Sequence, residues 1–570
     1  MNIKPLVVKS YLESLTEENE LNRIFPILLS SLKFEILSKP TYNKGLPEYG
    51  KDIVAVGFEN GIKKRFYYEL KGGGDRNITT TNLHKKDGII ESIREAKYKK
   101  FATDYPNFEK LPLKIVIVHN GILKGSAREV FDGFIKSEFE FENIDFERFD
   151  IERLTSEFSD HLFGAFLLTN QENTKLFNKV LINLNTSEHV SFDYIKLVDN
   201  LFSKEWKGYK SKLPRQWVLL FETLKLIAFI IYTEAKEYNN LDICKRYIAS
   251  LVIKFWFWIL KNKLERDRKV INYFNQVFFF YISVLGEYFR RTLPIAKIFN
   301  GLSSEKSGRY EQIGYTKRTF EYLQYLCFYI DVEMELDEKF DAESAKSILT
   351  MVINNNSVSS RPLIDINSIP IIEIVNIYLR LNDKLSASNY LKSVFSYLKN
   401  GKKKYNRMPD ANNSYESMIR FTVTGKKSAY YSETTSPLLS TLLEYTVILD
   451  LETLYLDIRD FVTEYNIDLG LFTPHHGVNS NSKHLIENTN LDLEEQLFSI
   501  PDFSDGYQRA IDVSENLEFK KFKKNLIEIK EEYQYEYRTD LAGFSPLRNL
   551  AHIYFKIPFF PDKWRGKLIE

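Results

Sequence analysis

The strongest local constraint on this chain is an Asn60-Gly61 pair between two runs of β-branched and aromatic residues, in GKDIVAVGFENGIKKRFYYELKGGG at 50–74. Asn and Gly both tolerate positive φ, so the pair predicts a two-residue hairpin turn. With Glu59 facing Ile62 and Phe58 facing Lys63, the position numbers of each facing pair sum to 121, which sets Asp52 opposite Glu69. Facing residues share one side of the ribbon, with Cβ atoms about 4.5–5.5 Å apart. Lys71, two residues past Glu69, shares that side. Two carboxylates and an ammonium are expected to converge at one end of a hairpin. Like charges set opposite each other cost stability, and these lie beside apolar residues on strands that read as buried. A solvated strand edge is therefore a poor account of them.

Such a grouping suits a hard divalent cation. Mg²⁺ (or Mn²⁺) takes carboxylate oxygens, keeps several waters and accepts phosphate oxygens as further ligands. It polarises a phosphoryl group and lowers the pKa of a bound water. Lys71 is placed to orient or deprotonate that water, or to offset charge at phosphorus. Gly72, Gly73 and Gly74 follow at once, and a backbone without side chains can approach a phosphate closely.

The surrounding pattern predicts an α/β domain. Residues 17–32 carry Leu21, Ile24, Phe25, Leu28, Leu29 and Leu32 at helical spacing. Strands are expected at 34–39, 53–58 and 65–71, a helix at 87–105, a buried strand at 113–118 (LKIVIV), a helix at 126–136 and a strand at 145–150. The order α-β-β-β-α-β-α-β implies a mixed sheet flanked by helices. Beyond about residue 175 strand signals fade. Amphipathic helical segments are expected at 214–237, 242–263, 268–292, 316–332, 369–399, 436–466 and 515–535. Breaks rich in Asn, Ser and Gly are expected near 171–190, 352–361, 400–414 and 473–490. The expected division is 1–170, then helical regions at 171–355 and 356–570.

Asp52, sixteen intervening residues and Glu69-Leu70-Lys71, within an α-β-β-β-α-β order, resemble the PD-(D/E)xK phosphodiesterase superfamily. This is the restriction-endonuclease-like group that includes Mrr-type enzymes and archaeal Holliday-junction resolvases. The resemblance covers roughly the first 150 residues, and Lys51 stands where the motif has proline. It implies a restriction-endonuclease-like fold, metal ligation by Asp52 and Glu69, and a catalytic role for Lys71. Many such enzymes add an acid from the first helix. Glu20 lies on the face of Ile24 and Leu28, with Glu17 nearly as well placed. Gly72 and Gly73 are candidates for substrate contact, as are Lys97 and Lys100, which with Arg94 fall three apart along one helix. Balanced by Glu91 and Glu95, the same cations also describe a solvated helix face. His84 and His119 lie near the expected site.

The expectation is a metal-dependent endonuclease acting on nucleic acid, DNA favoured over RNA, joined to a helical recognition or regulatory region. That architecture is analogous to bacterial restriction and anti-phage defence effectors. Two other readings are a non-catalytic platform built on a nuclease-like fold and a structure-specific repair nuclease. Cutting both strands commonly needs two sites, so a homodimer, or a protein partner for the helical region, is expected.

Composition limits the rest. Lys plus Arg number 78 and Asp plus Glu 77, so any nucleic-acid surface must be a local patch. The two cysteines, Cys244 and Cys327, sit in apolar helical segments and read as buried thiols. No stretch reads as a membrane span or a signal peptide, and a cytoplasmic location is expected. Pro474-His475-His476-Gly477, with His484 nearby, reads as a loop. The clusters at 402–404 and 520–524 read as solvated surface. No phosphate-binding loop for ATP occurs.

Overall fold

A computed structural model describes residues 4–39, 50–86, 88–186, 189–304, 308, 310–410, 414–427, 431–475, 505–510, 518–528 and 538–555. The chain divides into two compact units, Met1–Leu251 and Val252–Glu570.

The first unit is built on a five-stranded sheet in the order β1 (Glu35–Ser38), β2 (Ile53–Glu59), β3 (Ile62–Lys71), β4 (Leu113–His119), β5 (Ile144–Phe149). β1, β2 and β3 run antiparallel; β4 and β5 are parallel to β3. Asn60 (φ 49°) and Gly61 (φ 79°) make the tight turn. The register is the one the turn dictates, from Glu59↔Ile62 to Ile53↔Tyr68.

One face of the sheet carries Val54, Val56, Tyr67, Ile115 and Ile117. These pack against α4 (Ile89–Tyr98) and α5 (Gly125–Phe139) through Ile89, Ile93, Ala96, Ala127, Phe131 and Phe134. α4 is shorter than the expected 87–105 helix. After Tyr98 the chain turns extended, and Phe101, Tyr105 and Phe108 fold back onto that same core. The opposite face buries Phe66, Tyr68 and Leu70. It meets α2 (Asn22–Ser31), whose Phe25 ring lies 5.3 Å from Tyr68 and 6.4 Å from Phe149.

Five helices of this unit were not foreseen: α1 (Lys4–Ser14), α3 (Thr80–His84), α6 (Ile151–His161), α7 (Gln171–Asn183) and α8 (Phe192–Phe202). α7 occupies the expected break at 171–190. Asn170 caps it by accepting from the Asn173 N–H, and Leu176, Phe177 and Val180 supply a buried stripe that outweighs its polar composition. α8, α9 (Arg215–Glu237) and the start of α10 (Leu241–Lys261) complete the unit. α1 packs on both α6 and α9, so one side of α1 is covered by a helix beyond residue 170.

The second unit is mostly helical. It contains α11 (Arg268–Ala296), α12 (Glu311–Leu336), α13 (Ala342–Asn355), α14 (Ser368–Arg380), α15 (Lys384–Tyr405), α16 (Tyr415–Thr424), α17 (Pro437–Ile448) and α18 (Glu452–Tyr465). The expected 369–399 segment is two helices. Asn382 (φ 54°) ends one turn, and Asp383 caps α15. A two-stranded antiparallel ribbon pairs Gly470–His475 with Asp505–Ala510. His475 thus ends a strand, while His476 and His484 lie outside the described residues. Cys244 and Cys327 are buried free thiols. Among the described residues no helix is long and apolar enough to cross a membrane.

Candidate active site

Asp52, Glu69 and Lys71 meet at the end of the β2–β3 hairpin, as the turn arithmetic requires. One Asp52 oxygen, Oδ2, accepts the Leu70 N–H at 2.6 Å. Glu69 is 4% exposed, and its Oε1 lies 2.7 Å from the Lys71 ammonium. Burial, together with the negative charge of Glu69, pushes the Asp52 carboxyl well above the usual carboxylate range; the Leu70 N–H and Lys71 pull it back only in part. Burial alone would lower the Lys71 ammonium. The Glu69, Glu17 and Asp52 carboxylates outweigh that effect and hold it above its ordinary value. Lys71 is therefore a firmly held cation.

The acid contributed by the first helical segment is Glu17. Its carboxylate lies 4.0 Å from the Lys71 ammonium, and burial raises its pKa against the pull of Lys71. Glu20 is placed elsewhere. Its Oε2 accepts from the Thr16 N–H at 2.8 Å and the Thr16 hydroxyl at 3.1 Å, and it pairs with Arg215 at the start of α9. The reason is local winding: Glu17–Leu21 is a π-turn, closed by Leu21 N–H to the Thr16 carbonyl at 3.0 Å. A wider turn changes which residues share a face, so the ordinary helical spacing that joined Glu20 to Ile24 and Leu28 does not apply.

Gly72 and Gly73, the expected substrate contacts, lie close against Thr16 and Glu17. A Cβ at Gly72 would stand 2.5 Å from the Glu17 backbone nitrogen, and one at Gly73 (φ 59°) 3.2 Å from the Thr16 methyl. The Gly73 N–H also donates to the Leu15 carbonyl at 3.2 Å. These two glycines let the end of β3 press against the segment carrying Glu17. Gly74 has open space at its Cβ position.

Two side chains missed in the sequence support this junction. Asn120, fully buried just after β4, donates from Nδ2 to the Leu12 and Leu15 carbonyls at 2.7 and 2.8 Å. Its backbone N–H reaches the Lys71 carbonyl at 3.4 Å. Asn120 thereby ties the end of α1 to the end of β3. Arg76 donates to the Glu13 carbonyl at 2.6 Å. A lone Asn after an apolar strand gives no sequence signal for this; the nearest hint is that it directly follows LKIVIVH. His119, the strand partner of Lys71, is buried and structural. Its Nδ1–H donates to the Arg76 carbonyl (2.9 Å) and its Nε2 accepts from Arg148 (3.2 Å). Burial lowers its pKa to about 4. His84 ends α3 and is exposed.

The expected basic stripe is largely consumed by local acids. Arg94 and Lys97 both turn to Glu138 at the end of α5, Arg94 at 2.7 Å and Lys97 at 2.6 Å from its carbonyl. Lys97 also faces Glu142 at 3.4 Å. Lys99 pairs with Glu95 and Lys85 with Asp75, each at 2.6 Å. Lys100 lies beyond the end of α4 and is exposed, so it forms no stripe with the other two. In the second unit, Lys402 is buried and donates to the Glu433 carbonyl at 2.6 Å, which removes it from a solvated cluster.

The donor set suits a hard divalent cation on two carboxylates. Asp52 keeps Oδ1 beyond its bond to Leu70, Glu69 keeps Oε2, and the crowding that raises Asp52 is what a cation would relieve. Among the described residues no three His, Cys, Asp or Glu side chains form a ready ligand cluster, so waters would complete the shell of an ion held there. Compared with protein-family models, curated proteins and solved structures, the chain matches none.

Proposed function

We propose that the first unit is a metal-dependent nuclease of the restriction-endonuclease-like, PD-(D/E)xK kind, hydrolysing phosphodiester bonds of nucleic acid. The observation that carries this is the convergence of two mutually repelling carboxylates, half-buried Asp52 and buried Glu69, with one ammonium, Lys71, at the end of a hairpin. The hairpin lies in a mixed sheet whose β1 to β4 follow an N-terminal helix. A fold costs itself stability by keeping like charges together, and a metal or substrate repays that cost.

In this reading Asp52 and Glu69 hold Mg²⁺ or Mn²⁺, which when bound supplies Lewis-acid polarisation of a phosphoryl oxygen and a more acidic water. Lys71, kept protonated by its three carboxylate neighbours, orients the water and offsets charge developing on the phosphoryl oxygens, and is not a base. Glu17 adds a second carboxylate beside the ammonium, at 4.0 Å against 2.7 Å for Glu69. Gly72, Gly73 and Asn120 fix that arrangement through the backbone. DNA is the favoured substrate, by the resemblance alone. The helical second unit serves as the recognition or regulatory part, and a second copy of the chain would supply a second site.

Calorimetric titration of Mn²⁺ into the full chain at pH 7.5 tests the site. Binding is expected for the wild type and is expected to be lost in Asp52→Asn and Glu69→Gln. Equal binding by all three would show that the carboxylates are not ligands and remove the basis for the reading.

A further inference from the structure

The cations near the site differ in how they are satisfied. In the 85–100 band, Lys85, Arg94, Lys97 and Lys99 each face a carboxylate, and Lys86 and Lys100 do not among the described residues. On the helices just before residue 203, Lys179 faces Asp193 at 4.0 Å and Lys196 faces Glu172 at 3.5 Å, while Lys175 is exposed without an ion pair among the described residues. The connection from α8 to α9 concentrates unpaired cations. Its sequence, SKEWKGYKSKLPR at 203–215, holds five cations and one acid in a chain whose net charge is +1. Lys204, Lys207, Lys210 and Lys212 are all exposed and have no ion pair among the described residues.

This loop is anchored at its ends while its lysines stay in water. Trp206 lies 4.9 Å from the buried Trp217 ring and 6.0 Å from Tyr209. Leu213 is buried. The last cation, Arg215, is paired with Glu20, which holds the Thr16 backbone next to Glu17. A continuous set of contacts therefore runs from Lys71 through Glu17, Thr16 and Glu20 to the end of the loop. Unpaired lysines at two- and three-residue spacing, interleaved with aromatic rings, suit a phosphate chain, whose affinity comes from neutralised phosphates and stacked bases.

We propose that the 203–214 loop is the strand-binding arm of the first unit, with Lys204, Lys207, Lys210 and Lys212 contacting the phosphate backbone of nucleic acid beside the carboxylate site. The partner's identity rests on the nuclease reading, but binding is separable from cutting.

The test is fluorescence anisotropy of labelled single-stranded and duplex oligonucleotides with the full chain, in EDTA, across a salt series. The first variant replaces the four loop lysines by Gln. A control replaces Lys85, Lys86, Lys99 and Lys110, which removes the same charge. The loop variant is expected to bind at least about tenfold more weakly. Its log–log salt slope should be shallower by about 3 on single strands and about 3.6 on duplex, the value for four lost phosphate contacts. The control is expected within about twofold of wild type, since half its cations are already paired. A loop variant that binds like wild type overturns the inference, as does an equal loss in the control. Wild-type protein that ignores both oligonucleotides and binds anionic phosphatidylserine vesicles also overturns it, assigning the lysines to a lipid surface. Cleavage read in parallel with Mg²⁺ separates the two claims. Loop-dependent binding without cutting sustains the arm and counts against the nuclease, whereas cutting with loop-independent binding does the reverse.

Discussion

The Asp52 carboxyl takes up protons more readily folded than unfolded, because burial and then Glu69 oppose its charge. A group whose folded pKa is raised contributes stability that is fully present in acid and is lost as pH rises through the folded value. Asp52→Asn is therefore expected to raise the melting temperature at pH 7.5, with the gain shrinking as pH falls toward the ordinary carboxylate range. Thermal melts across pH check this, and a variant less stable than wild type at pH 7.5 would contradict it. His119 acts in the opposite sense. Its pKa falls from 6.5 to about 4 on folding, chiefly through burial. Its contribution is full above pH 6.5 and is lost as pH falls through that window. Melts of His119→Gln should show a weaker pH dependence between 6.5 and 4 than wild type. Lys71→Ala should lower the rate constant for cleavage by about 10²–10³-fold, the usual loss of one charge-stabilising donor. Circular dichroism of that variant should be unchanged.

At the scale of elements, the junction between β3 and the π-turn governs the site. Gly72→Ala drives a Cβ against the Glu17 backbone, which a flexible side chain cannot relieve. It is expected to cost roughly 1–3 kcal/mol of stability in denaturant titration and to weaken Mn²⁺ binding by moving Glu17 and Lys71 apart. The hairpin half of this site was legible in the sequence, because one Asn-Gly turn fixes a register and a register fixes which side chains face each other. Asp52, Glu69 and Lys71 followed from that. Glu17 against Glu20 was not legible: the choice depends on five residues of π winding, which hydrophobic spacing does not encode. Nor was the part played by Gly72 and Gly73, since a missing side chain reads the same whether a phosphate or a backbone approaches it. α7 was hidden by its Asn and Thr residues, although Leu176, Phe177 and Val180 carried the stripe that folds it. α4 was read too long because its charged run continues past Tyr98, although Phe101 and Tyr105 beyond it pack on the core from a loop. The long helices of the second unit were the easiest to read, since their periodicity runs for many turns.

For the whole molecule, the first unit reaches to residue 251, well past the sheet. α1 lies against both α6 and α9, and the Tyr11 hydroxyl donates to the Leu167 carbonyl. A fragment ending at residue 170 leaves the α9-facing side of α1 uncovered. It is expected to melt without a cooperative transition, whereas one ending at 262, which keeps α9 and α10, melts cooperatively. Calorimetry of the two fragments decides the point. The central claim concerns chemistry, and cleavage tests it most directly. Purified full chain is incubated with plasmid, single-stranded DNA and RNA in Mg²⁺, Mn²⁺ or EDTA, beside Glu69→Ala and Lys71→Ala. The account predicts cutting that needs the metal and disappears in both variants. It is contradicted if the wild type cuts none of these substrates and binds Mn²⁺ no better than Glu69→Ala, or if both variants cut as well as the wild type.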